Sequence, residues 1–112
     1  MMTRDGCPEN VLAIKDAIEA LEGKWKILIM LSLSQNTKRF REISREVNGI
    51  TDKVLSKELK HLEINKLIVR NEFNPFPPTV EYSITEHGKS LEPLLMELYR
   101  WGMKHREEVM KD

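Results

Sequence analysis

Apolar residues along the chain change their spacing several times, and each change marks an element. From Asn10 to Leu21, the positions Val11, Ile14, Ala17, Ile18 and Leu21 recur three and four apart, which predicts a helix with one apolar face. Asn10 is placed to cap this helix and Gly23 to stop it. A second helix is expected from Lys24 to about Leu33. Its Trp25, Ile27, Leu28, Ile29 and Leu31 leave little polar face, so it belongs at the centre of a core. Ser34-Gln35-Asn36-Thr37 reads as a turn. Phe40, Ile43 and Val47 then mark a short helix from about Arg39 to Val47, broken by Asn48-Gly49.

After Ile50, Thr51 is positioned to cap a further helix, with Asp52 favourably placed against its dipole. Leu55, Leu59 and Leu62 form one stripe on this helix, while Lys53, Ser56, Lys57 and Lys60 carry hydrogen-bond donors on the other side. Beyond Asn65-Lys66 the period shifts to that of strands: Leu67 to Arg70 is one, and Val80 to Ile84 alternates as a second. Between them, Pro75, Pro77 and Pro78 cannot all sit in a sheet, so this segment is the tip of a hairpin. Thr85 then caps a final helix. It carries Leu91, Leu94, Leu95, Leu98 and Trp101 and ends near Arg106.

The order is helix, helix, short helix, turn, helix, hairpin, long helix. A short helix, a glycine-containing turn and a second helix with a polar outer face are the signs of a helix-turn-helix. The expected fold is mainly α with a small β-hairpin, a winged helix-turn-helix with extra N- and C-terminal helices, residues 1–112 forming one domain. In such a motif the second helix, here about 51–64, enters the DNA major groove, and the hairpin, about 68–84, lies beside it as a wing. Arg39, Thr51, Lys53, Ser56, Lys57, Lys60 and Arg70 are the candidate DNA contacts. Lysine and hydroxyl donors suit guanine acceptors and phosphate oxygens. Arg39 could equally be spent on a surface ion pair with Glu42.

Charge refines this picture. The 18 basic and 18 acidic residues cancel. Yet residues 35–70 hold nine basic side chains against five acidic ones, so the middle carries +4 and the flanks −4. One surface is thus suited to a polyanion. A lysine-rich helix face is also what ordinary solvated surface looks like. A winged-helix module for protein association, with no DNA contact, therefore stays open as the alternative.

Other classes find little support. His61, His87 and His105 lack metal-ligand spacing with one another or with Cys7. No glycine-rich phosphate loop, nucleophile elbow or Ser/His/Asp constellation is present. The expectation is a protein that is not an enzyme and needs no metal or cofactor. No apolar run approaches the roughly 20 residues of a membrane span, and no secretory signal is seen. With Cys7 the single cysteine, the expected compartment is the cytoplasm.

An ordered set of short motifs runs from Cys7 to Trp101: Cys7-Pro8, Gly23-Lys24-Trp25, Arg39-Phe40-x-Glu42-Ile43, Gly49-Ile50-Thr51 followed by Leu55 and Leu59, Pro78-x-Val80-Glu81-Tyr82, and Ile84-Thr85-x-x-Gly88. The chain resembles the HxlR-type family of bacterial winged helix-turn-helix regulators. That resemblance implies a homodimeric transcription factor whose terminal helices pack between subunits. It also implies that Cys7 is a candidate sensor of oxidants or electrophiles, an unreactive thiol being the alternative. Two departures stand out. Residues 71–79 contain no basic residue and include Glu72, and the glycine often found before the wing is replaced by Asn65 or Lys66. Asn65 tolerates a left-handed conformation.

The apolar stripes on the terminal helices are either internal core or a dimer seam. On a chain of this size, and with that resemblance, Val11, Ile14, Ile18, Leu91, Leu94, Leu95, Leu98 and Trp101 are assigned to the seam. Trp25, on an apolar helix, is assigned to the core. The expected partners are double-stranded DNA, a second copy of the chain and a small effector that no polar cluster identifies.

Overall fold

The computed structural model describes residues 8–74 and 76–111. Six helices and one hairpin follow each other as α1 (Pro8–Leu21), α2 (Lys26–Gln35), α3 (Phe40–Glu46), α4 (Asp52–Ile64), β1 (Ile68–Phe73), β2 (Thr79–Ile84), α5 (Glu86–Lys89) and α6 (Glu92–Val109). The strands pair antiparallel from Ile68 opposite Ile84 to Phe73 opposite Thr79. Helix α2 lies against α3, α4 and β2, the central place its apolar surface demanded.

The core gathers Ile29, Met30 and Leu33 from α2, Ile43 and Val47 around α3, Ile50, the leucines Leu55, Leu59 and Leu62 of α4, and Leu67, Ile68 and Tyr82 of the hairpin. Burying a leucine side chain stabilises by about 1.5–3 kcal/mol, so the α4 stripe alone accounts for its docking. Trp25 is half-buried and packs against this core. Thr51 caps α4, its side chain accepting from the Val54 N–H at 3.2 Å. Gly49, at φ +94°, turns the chain between α3 and α4 where a side chain would be strained.

Several boundaries depart from the sequence reading. Helix α1 begins at Pro8, so Asn10 lies inside it and is not its cap; proline suits the first turn because it has no N–H to leave unpaired. Helix α2 takes in Ser34 and Gln35, the Ser34 hydroxyl donating back to the Leu31 carbonyl at 2.7 Å. The left-handed residue after α4 is Lys66, at φ 63°, while Asn65 keeps φ −81°. The Leu67 N–H reaches the Leu62 carbonyl at 3.0 Å and the Lys66 N–H that of Glu63 at 2.9 Å. This is a Schellman ending with lysine in glycine's place, held at a cost of about 1–2 kcal/mol.

The expected single final helix is two. Thr85 does cap its start, accepting from the Gly88 N–H at 2.9 Å. The chain then breaks at Ser90 and Leu91 before α6. Pro93 explains the break: its ring would collide with the Lys89 carbonyl in a continuous helix, but it fits the first turn of a new one.

Helices α1 and α6 contain no fully buried residue among those whose side chains are described. The radius of gyration is 16.7 Å, against about 13 Å for a close-packed chain of this length. The outer helices extend from a compact centre and leave their apolar stripes uncovered.

Candidate nucleic-acid interface

The cap at Thr51 and the buried leucines orient α4 so that Thr51, Lys53, Ser56, Lys57 and Lys60 are all exposed. None of the three ammonium groups is paired with a carboxylate among the described residues. Apart from Glu63, which lines a cleft with Lys60, the acids on and beside α4 are engaged elsewhere. Asp52, at the start of α4, is held by the Arg41 guanidinium at 2.9 Å. Glu58 turns inward to Lys26, and Glu46 on α3 binds Lys38. The α4 face therefore carries more uncompensated positive charge than a residue count suggests.

Arg39 is exposed at the start of α3. Glu42 does not pair with its guanidinium; instead the carboxylate accepts from the Arg39 backbone N–H at 2.8 Å, capping the helix. The Arg39 side chain thus remains available beside the motif.

Where α4 meets the hairpin, Ser56, Lys60 and Arg70 come together. They line a cleft of about 520 Å³ with Glu63, Ile64 and Tyr82. Arg70 stands opposite Tyr82 across the strands. Hydrogen bonds from its guanidinium to Tyr82 and then to Glu72 raise its pKa above the ordinary arginine value, so the cation is fixed at this wall of the cleft. Two elements thereby present cations to one space of a size to admit a phosphate group. Neither strand nor helix periodicity could show that juxtaposition.

The hairpin tip contributes no cation. Asn71 is occupied by the Ser83 hydroxyl at 3.2 Å, and Phe76 is fully exposed. Cys7 lies outside the described residues. No group of three or more His, Cys, Asp or Glu side chains suited to a metal occurs among the described residues.

Of the residues assigned to the seam, Ile14, Ile18, Leu94, Leu98 and Trp101 are exposed and Val11 is half-buried. Leu91 and Leu95 pack partly against the chain's own core. Trp101 stacks on His105 one turn away, ring centres 4.7 Å apart. A groove of about 840 Å³ runs between α2, the end of β2, α5 and α6, floored by Met30, Leu33, Ile84 and Leu95 and rimmed by Lys89 and Glu92.

The sequence reading missed Lys26 and Lys38, both buried and ion-paired inside the chain. Lys26 carried a signal, since a lysine opening the most apolar helix must be compensated. Lys38 carried none, because its burial depends on a backbone bridge to Tyr82 from the distant hairpin.

With this geometry in place, residues 20–110 match the model of the HxlR-like helix-turn-helix family. The chain belongs to that family. Among its HxlR-like relatives is the HTH-type transcriptional regulator YtcD of Bacillus subtilis (strain 168), 38% identical over 101 residues, covering 90% of this chain and 80% of the relative. The fold is shared with the reduced form of the redox regulator HypR at a TM-score of 0.81 and 32% identity, covering 87% of this chain and 96% of that one. It is shared also with the reduced form of the transcriptional regulator YodB from B. subtilis, at a TM-score of 0.74 and 33% identity, covering 85% and 89%. No helix among the described residues is long and apolar enough to cross a membrane.

Proposed function

We propose that this HxlR-like chain is a sequence-specific, DNA-binding transcriptional regulator that works in the cytoplasm as a homodimer. Helix α4 enters the major groove, and the hairpin lies beside it. The observation that carries this reading is the unpaired, exposed set Lys53, Lys57 and Lys60 on the cap-fixed face of α4. Ser56, Lys60 and Arg70 then hold a phosphate in the cleft between helix and wing. Residues 1–112 act as one domain, with the uncovered stripes of α1 and α6 closing against a second copy. A dimer sets two α4 helices about 34 Å apart, one helical turn of DNA. A small effector would have the 840 Å³ groove as its seat, a volume within the range of such sites.

The test is a titration of duplex DNA at several salt concentrations. Each phosphate contact contributes about 0.9 to the slope of log affinity against log salt. Lys57→Ala with Lys60→Ala removes up to four contacts per dimer, so the slope becomes shallower by up to about 3.6. Thermal stability stays within about 0.5 kcal/mol because both side chains are exposed. An unchanged slope counts against the reading, and failure of the native chain to bind any duplex at low salt favours a protein-association module.

Likeness to a redox regulator supports a further part of the proposal, that Cys7 answers oxidants or electrophiles. A thiol reacts as the thiolate, and with no second cysteine in the chain its partner must be another subunit or a small thiol. Diamide should then lower duplex affinity of the native chain and leave Cys7→Ser unaffected; equal responses exclude Cys7.

A further inference from the structure

The buried ammonium of Lys26 has no part in the DNA-facing surface. Lys26 is the first residue of α2, and its Nζ lies 2.5 Å from Glu58 Oε1, the two side chains being 8% and 14% exposed. The contact is an ion pair without an aligned hydrogen bond, and no other donor reaches that oxygen among the described residues. The same ammonium donates to the Glu22 carbonyl just past the end of α1, at 3.4 Å. One cation therefore touches the end of α1, begins α2 and grips the middle of α4.

Stability does not explain such a pair. Two buried charges lose hydration, and an apolar pair of similar volume generally does as well or better. What apolar contacts lack is direction. The leucine stripe of α4 sets how deeply the helix sits but resists rotation weakly. A side-chain tip about 6 Å from a helix axis moves about 2 Å when the helix turns by 20°. Starting from 2.5 Å, such a shift carries the Glu58 carboxylate beyond the roughly 4 Å reach of an ion pair with Lys26. Glu58 adjoins Lys57 and lies two residues before Lys60, so pinning its carboxylate pins the azimuth of both ammonium groups.

Resting on the DNA-binding reading above, we infer that Lys26 and Glu58 are positioning residues that lock the rotation of α4 so that its lysines meet the duplex together. They act through Lys53, Lys57 and Lys60 and touch no DNA themselves.

The experiment uses the full chain and a random-sequence duplex, with melting followed alongside binding. Glu58→Gln removes a negative charge from α4, which by simple electrostatics tightens DNA binding. The clamp predicts the opposite sign: affinity weaker by about threefold or more, measured well below the melting temperature. Lys26→Met with Glu58→Met leaves net charge unchanged and replaces the pair by apolar chains. It is expected to melt near the native chain yet bind about tenfold more weakly, with a shallower salt slope. Glu58→Gln binding as tightly as the native chain or more so, a double variant with native affinity, or a double variant that fails to fold each overturns the inference. If the native chain itself does not bind duplex, the function proposal has failed and the clamp falls with it.

Discussion

Gly88→Ala tests how the wing is anchored, because two opposite effects predict opposite signs. Gly88 lies in α5, where replacing glycine by alanine ordinarily stabilises a helix by up to about 1 kcal/mol. Here a β-carbon would stand 2.2 Å from the Leu67 carbonyl oxygen and 3.0 Å from Ile84 Cγ2. Carbon and carbonyl oxygen approach to about 3.3 Å. Helix α5 and the base of β1 must therefore separate by about 1 Å. That carbonyl accepts from the Thr85 N–H at 3.1 Å, and the separation strains this bond; the single proton of the Thr85 hydroxyl goes to the Lys66 carbonyl at 2.7 Å. One hydrogen bond at about 1 kcal/mol and overpacking of about 1–3 kcal/mol outweigh the gain in helix propensity. The net is about 2 kcal/mol of destabilisation, or a melting temperature lower by about 8 °C. Thermal unfolding followed by circular dichroism measures it. A midpoint within about 3 °C of the native chain, or above it, refutes the contact between α5 and β1.

Two further outcomes follow from the ion pairs and the outer helices. Hydrogen bonds from Lys38 and Ser32 hold the Glu46 carboxyl below the ordinary carboxylate range. A depressed folded value stabilises above the unfolded pKa and is lost as pH falls through the folded one. The melting-temperature advantage of the native chain over Glu46→Gln should accordingly shrink on acidification; a constant difference refutes the linkage. Ile18→Asp or Leu98→Asp, each on an uncovered stripe, should convert the proposed dimer to monomers in light scattering and weaken duplex binding at least tenfold (about 1.4 kcal/mol) while leaving the core intact. A dimer that persists in both variants moves the seam elsewhere.

What was legible in the sequence was whatever depended on local periodicity. The leucine stripe of α4, the Thr51 cap, the glycine turn before it and the hairpin all follow from neighbours within a few residues. Pro93 was legible in principle, yet the apolar series Leu91 to Trp101 concealed the break that the proline enforces. For the turn after α4 the sequence left Asn65 and Lys66 open, asparagine being the better left-handed former. Hydrogen bonding from Leu67 and Lys66 back to α4 overrides that preference. The charged residues were hardest. Lys53 and Lys26 are the same chemical type, and only the packing of α2 against α4 makes one a surface cation and the other a buried clamp. The cleft that gathers Ser56, Lys60 and Arg70 has the same origin, since it exists only once the hairpin is folded against the helix.

The pairing of Glu46 with Lys38 and of Glu58 with Lys26 has a consequence for how the molecule approaches a polyanion. A chain of zero formal charge has no monopole, so at long range it is neither attracted nor repelled. Residues 35–70 carry +4 and the rest of the chain −4, an asymmetry whose pull depends on orientation and fades within about a Debye length, roughly 8 Å in physiological salt. Encounters that present the wrong side are turned away. Such a molecule trades speed of capture for selectivity of pose, and it should adhere poorly to unrelated anionic surfaces that cannot accommodate the α4 face.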